Sequence, residues 1–192
     1  MATSLKGSKT EKNLLAAFAG ESQARNRYTF FASTARKEGY EQVAGIFLET
    51  AEHEKQHAKL YFSQLEGGEV EIIAGYPAGV IGKTADNVMA AAAGEHAEWT
   101  SIYPGFADVA DDEGFQKPAA LFRNVATVEE WHDRRYTKLV ERFEKGMVFK
   151  RDQPIKWMCR ECGRIIEAKE PPLVCPVCLH PRAFYEPYAE NF

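Results

Sequence analysis

A chain of 192 residues is long enough to bury a sizeable core and sets an expectation of one or two domains. Its 45% hydrophobic and 27% charged content is ordinary for a globular protein, and a net charge of -4 argues against a nucleic-acid or anionic-membrane partner. The chain lacks the run of about 18 apolar residues that spans a bilayer, and MATSLKGSKTEKNLLAAF does not read as a signal peptide, so the expected location is cytoplasmic.

In chain order, Ser8-Lys9-Thr10-Glu11 fits a capping box and opens a helix to about Lys37, with an inward stripe of Leu14, Ala17, Glu21, Ala24, Tyr28 and Phe31. After Gly39 the spacing predicts a second helix from about Glu41 to Glu66, with stripe Val43, Phe47, Thr50, Glu54, His57 and Tyr61. So short a connection makes the two antiparallel neighbours. Residues Gly67 to Lys83, with Val70, Ile72, Ile73, Pro77 and Val80, read as an ordered crossover along the bundle. A third helix is expected from about Thr84 to Asp112, with stripe Val88, Ala91, Glu95, Glu98 and Ile102 and a kink or break at Pro104. Gly114 interrupts the chain, Pro118 suits a first turn, and a fourth helix should end near Gly146, its stripe being Phe122, Val125, Glu129, His132, Tyr136, Leu139 and Phe143. Short, long and short connections between four long helices describe an all-α bundle with one crossover, the ferritin-like topology. From Lys150 the periodicity stops and proline and cysteine take over. The expected division is therefore a bundle over 1–149 and a small metal-stapled domain over 150–192.

The inward stripes hold groups that a core rejects unless they are paired: Glu21, Glu54, His57, Glu95, Glu98, Glu129 and His132. The i, i+3 spacing puts Glu54 with His57, and Glu129 with His132, on one face. Two Glu-x-x-His helices plus glutamates from the other two form the donor inventory of di-iron and di-manganese carboxylate proteins. Five carboxylates offset most of the charge of two ferric ions, and the imidazoles favour iron over calcium or magnesium. Tyr28 lies two turns beyond Glu21, where its hydroxyl could support a ligand from behind. Glu49, Glu52, His53, His96 and Glu130 fall off the stripes and read as solvated surface.

Cys159-x-x-Cys162 and Cys175-x-x-Cys178 form two thiolate hooks around one tetrahedral site. On spacing alone zinc is the commoner occupant, but sulfur ligation suits a single iron equally, and a one-electron centre is useful beside a di-iron site. His180 lies outside the pairs and reads as surface.

With these motifs in order, the chain resembles a rubrerythrin over nearly all its length. The bundle resembles that family's ferritin-like di-iron domain. Cys162-Gly163 and Cys175-Pro176-Val177-Cys178 resemble the knuckles of its rubredoxin-like tail, with two departures from free-standing rubredoxins: 12 residues between the hooks, and Leu179 where the second knuckle would have Gly. The resemblance implies two irons in an oxo- and carboxylate-bridged pair and one iron in the four-cysteine site. It also implies a peroxidase that reduces hydrogen peroxide to water in oxidative-stress defence. Iron ligands would be Glu21, Glu54, Glu95, Glu98, Glu129 and His132, with a redox-linked exchange of Glu98 for His57. Tyr103 matches a family tyrosine close to the metals. The family pairs its chains head to tail. With no nucleotide-binding Gly-rich turn here, electrons from NAD(P)H would arrive through a separate reductase or a rubredoxin. The rival readings are a ferroxidase or iron-handling protein on the same bundle, and a scaffold with a zinc-ribbon module.

Overall fold

The structure, a computed structural model, describes residues 4–191; residues 1–3 and 192, at the outer ends of the two expected domains, lie outside it. Helix α1 spans Lys9–Lys37, and the Ser8 hydroxyl accepts the Glu11 backbone N–H at 3.0 Å. The expected box is only half formed, because the Glu11 carboxylate takes the Gly7 N–H at 2.7 Å instead of that of Ser8. Glu113, from the far end of the third helical run, accepts the Lys9 and Thr10 N–H groups at 3.0 and 2.8 Å, an anion at the positive end of a helix. Gly39, at φ 83°, turns the chain in the left-handed region so that the Tyr40 N–H reaches Ala35 O at 2.8 Å, and α2 (Glu41–Phe62) returns antiparallel to α1.

The second helix stops four residues before the expected Glu66. Gln64 and Leu65 close three-residue turns onto Tyr61 O and Phe62 O. Glu66 accepts the Ser4 hydroxyl at 2.6 Å and the Leu5 N–H at 3.0 Å, holding residues 4 and 5 against the end of the second helical segment. The crossover has no regular secondary structure, and Ile73 and Val80 on it are exposed. It is pinned where the Tyr76 hydroxyl donates to Ala16 O at 2.8 Å and where Asn87 exchanges two hydrogen bonds with Gly82.

The third helical run does not break at Pro104. Instead α3 (Thr84–Ala97) passes into a π turn over Glu98–Ile102, closed by the Tyr103 N–H on Glu98 O, and continues as α4 (Tyr103–Asp112). Opening the ladder just ahead of proline accommodates its missing donor. The π turn also adds a residue to one turn, so the inward position passes from Ile102, 39% exposed, to Tyr103, 2% exposed. Helix α5 (Gln116–Glu144) completes the bundle, with Pro118 in its first turn. The other three stripes are buried as expected apart from Phe143, which is half-buried at the helix end.

The core divides into two apolar blocks. One centres on Tyr28, Phe31, Phe47 and Tyr136, the other on Leu14, Tyr61, Tyr103 and Phe122. Between them lie the acids and imidazoles. The tail is a three-stranded antiparallel sheet in the order β2 (Ile165–Ala168), β1 (Ile155–Cys159), β3 (Tyr185–Pro187), pairing Trp157 with Ile166 and Cys159 with Tyr185. It rests on α2: Gly45 has no side chain where the Arg160 guanidinium lies, and a Cβ there would come within 2.7 Å of Arg160 Nη2.

Candidate metal centres

Each bundle helix run delivers one acid at mid-length, and α2 and α5 add a histidine one turn on. The donors assemble as two groups: Glu21, Glu54, His57 and Glu129, and Glu54, Glu95, Glu129 and His132, each with ligand atoms within 4.8 Å of one another. Glu54 and Glu129 belong to both groups, so the pairs Glu21/His57 and Glu95/His132 flank two shared carboxylates. His57 Nδ1 lies 2.9 Å from Glu54 and 2.8 Å from Glu129. His132 Nδ1 lies 2.6 Å from Glu129 and 3.3 Å from both Glu54 and Glu95. Behind the flanking acids stand two buried tyrosines: Tyr28 donates to Glu95 and Tyr103 to Glu21.

Glu98 is in neither group. It sits in the π turn, half-buried, on the wall shared by cavities of about 410 and 600 Å³ between α1, the crossover and the third helical run. Arg27, Pro77 and Gly94 line both cavities with it. His53 departs from the expected surface reading: it is half-buried, its ring nearly coplanar with that of His132 (centroids 5.2 Å apart, 6°), with Nδ1 3.0 Å from His132 Nε2. Glu49, Glu52 and His96 are exposed as expected, and Glu130 is half-buried in an ion pair with Arg134.

Electrostatically this is a cluster with too much negative charge. Burial, then repulsion from Glu129, Glu98 and Glu54, pushes Glu21 well above the ordinary carboxyl range. Burial and Glu54 lift Glu95 to about 8. Burial again raises Glu98, helped by repulsion from Glu95. Glu129 moves the other way: burial would raise it, but His132 and His57 bring it to about 2. Burial disfavours charge on the imidazoles too, yet contact with Glu129 and Glu54 outweighs it and raises His57 to about 9 and His132 to about 12. In effect two imidazolium ions stand in for the cations the acids call for.

In the tail, Cys159 Sγ lies 3.7 Å from Cys178 Sγ, and Cys162 Sγ lies 3.7 Å from Cys175 Sγ, with all four within 4.8 Å. A metal–sulfur tetrahedron with ~2.3 Å bonds has edges of ~3.8 Å, so the thiols are already spaced as ligands. Cys175 is lowered to about 6, first by the Tyr185 hydroxyl and then by the Cys178 N–H. Leu179 turns the second knuckle at φ 62°, where the first uses Gly163 at φ 74°. His180 is half-buried rather than on the surface, edge-on to Phe184 with centroids 4.6 Å apart.

The sequence profile described as Rubrerythrin matches residues 12–140, and that described as Rubrerythrin, rubredoxin-like domain, matches residues 157–186. The chain belongs to the rubrerythrin family. It is 60% identical over 192 residues to the rubrerythrin of Porphyromonas gingivalis, covering 100% of this chain and 96% of that one. It is 50% identical over 183 residues to the rubrerythrin of Nitratidesulfovibrio vulgaris, covering 95% and 96%. Among solved structures, fully reduced, all-ferrous nigerythrin matches with a TM-score of 0.63 at 31% identity over 97% of this chain and 94% of that one. Dithionite-reduced symerythrin of Cyanophora paradoxa, 20% identical over 75% and 90% of the two chains at a TM-score of 0.63, shares the fold.

The chain is thus an oxidoreductase with a di-iron carboxylate site of Glu and His groups and a four-cysteine rubredoxin-like site. The bundle donors fit that pair on their own geometry. Glu21 Oε2, Glu54 Oε1, Glu95 Oε2, both Glu129 oxygens and His132 Nδ1 are buried with no hydrogen-bond partner, although some lie within 3 Å of one another. Atoms so close yet misaligned for hydrogen bonding are arranged as ligands of a common ion. No described helix is long and apolar enough to cross a membrane.

Proposed function

We propose that the chain is a peroxidase that reduces hydrogen peroxide to water in oxidative-stress defence. The carrying observation is the pair of donor groups sharing Glu54 and Glu129, suited to two metals side by side, in a chain that also carries four convergent thiols. In this reading Glu54 and Glu129 would contribute to both metals, Glu21 and His57 would complete one site, Glu95 and His132 the other, and Cys159, Cys162, Cys175 and Cys178 would hold the mononuclear iron. When bound, the di-iron pair supplies two electrons and Lewis acidity to the O–O bond, and the thiolate-bound iron returns electrons singly.

The protein's part is positioning. Tyr28 and Tyr103 hold Glu95 and Glu21 by hydrogen bonds. The cavities give a molecule as small as peroxide a way to Glu98. In this reading His57, inside a donor group, and Glu98, outside both, are the two residues that would exchange on reduction. Residues 1–149 act as the catalytic unit and 150–192 as the relay. Gly45, where the tail rests, is nine residues from Glu54, or ~14 Å along α2. A head-to-tail second copy would bring another tail to each di-iron site. A rubredoxin or an NAD(P)H-dependent reductase supplies the electrons, in the cytoplasm, where four free thiols stay reduced.

The test is anaerobic reduction of the iron-loaded protein followed by one equivalent of hydrogen peroxide, set against reoxidation by dioxygen. Much faster return of the ferric colour with peroxide is expected. Equal or slower return with peroxide would favour the ferroxidase reading.

A further inference from the structure

His57 and His132 occupy matching places in the duplicated Glu-x-x-His pattern, and both turn Nδ1 toward the shared carboxylates. Their far sides differ. His132 Nε2 lies 3.0 Å from His53 Nδ1, and the two ring planes are within 6° of each other with centroids 5.2 Å apart, so the imidazoles meet edge to edge. No hydrogen bond to His57 Nε2 occurs among the described residues, although His57 is almost as deeply buried, at 7% exposure against 3% for His132. The asymmetry begins in the sequence. The residue before Glu54 is His53, whereas the residue before Glu129 is Val128, which has no acceptor to offer.

An imidazole that binds a metal through Nδ1 carries its hydrogen on Nε2, and that N–H needs an acceptor to fix the ring. For His132 the acceptor is His53 Nδ1, which leaves the His53 hydrogen on Nε2. His53 and His132 border the same cleft of about 690 Å³ between α2 and α5, with Trp131 and Arg135 on its walls. Without His53, His132 Nε2 would have only water from that cleft as a partner. We propose that His53 is a positioning residue that fixes His132 as the stationary ligand, so that of the two histidines only His57 is free to enter and leave the metal's coordination. This deepens the proposed function and rests on its ligand assignment.

Two substitutions separate the acceptor from the ring. His53→Phe keeps an aromatic ring and deletes the acceptor; His53→Asn loses the ring and returns an oxygen close to the position of Nδ1. The readout is the rate at which the anaerobically reduced, iron-loaded chain gives up bundle iron to a ferrous chelator. Loss of an outer partner to a ligating histidine typically costs about 10-fold or more in metal affinity, so His53→Phe should release one of its two bundle irons ~10-fold faster than the unsubstituted chain, and His53→Asn should restore retention to within ~3-fold. Release from His53→Phe at the original rate overturns the proposal. Equal leakiness of His53→Phe and His53→Asn overturns it as well, because the ring's packing would then be what matters. An unsubstituted chain holding fewer than two bundle irons would bring down the ligand assignment itself, a result read before either variant is made.

Discussion

Stripping the iron should make the bundle's stability fall steeply with rising pH. At pH 7.5 the folded metal-free chain keeps protons on His57, His132 and Glu95, whose pKa values sit at about 9, about 12 and about 8. The unfolded chain, with ordinary values of 6.5 for histidine and 4.5 for glutamate, has released most of them. The raised histidine values contribute stability that is complete below 6.5 and is lost as pH rises through the folded values. Raised Glu95 acts in the same direction, its cost absent below 4.5 and growing until about pH 8, and the raised Glu21 and Glu98 carboxyls add to it. Glu129, at about 2, adds a contribution already complete above 4.5 and therefore flat in this window. Each retained proton contributes a slope of ~1.4 kcal/mol per pH unit. The raised groups share partners and titrate together, so roughly two net protons give ~3 kcal/mol per unit. For a chain of this size that is a fall in Tm of roughly 10 °C between pH 7 and 8. Iron replaces those protons, so the loaded bundle should show little change. Thermal melts by far-ultraviolet circular dichroism, on chelator-stripped and reconstituted protein from pH 6.5 to 8, measure the difference. A stripped protein whose Tm is flat or rises over that range would refute the reasoning.

Four substitutions probe other parts of the molecule. Glu129→Gln, in both donor groups, should leave the bundle with about one iron or fewer by metal analysis, whereas Glu21→Gln, in one group, should leave about one. Phe47→Ala, fully buried among Tyr28, Phe31 and Tyr136, should cost ~3–5 kcal/mol in urea unfolding of the iron-loaded protein. Leu179→Gly should stabilise the tail by up to ~1 kcal/mol, seen as slower loss of the thiolate-bound iron's colour in denaturant, since a 76% exposed leucine gives up strain and little packing.

The bundle and most of the donor set were legible in the sequence because helix faces repeat regularly and an acid on an apolar face is tolerated only where something pairs with it. Leu14 to Phe31 and Val43 to Tyr61 hold their phase from end to end, so Glu21, Glu54 and His57 are where the spacing puts them. The third run lost phase at one point. Counting by threes and fours reaches Ile102, but the π turn shifts the inward position to Tyr103, which only the family resemblance had indicated. Pro104 was the available signal, and it marked an opened turn rather than a break. His53 escaped for a different reason: its partner is on another helix, and the pairing of α2 with α5 depends on how the two helix pairs dock. A histidine adjoining a ligand glutamate is the trace it leaves in the sequence. The end of α2 was likewise decided by a distant contact, Glu66 with Ser4 and Leu5, rather than by helix propensity.

The most direct measurement is anomalous X-ray scattering at the iron edge from crystals of the iron-loaded chain. Two peaks inside the bundle are predicted, both in contact with Glu54 and Glu129, one also with Glu21 and the other with Glu95 and His132, alongside a third peak among the four cysteines. A bundle with a single peak, or with none while these side chains keep their buried positions, would contradict the claim that two cations hold this acidic core together.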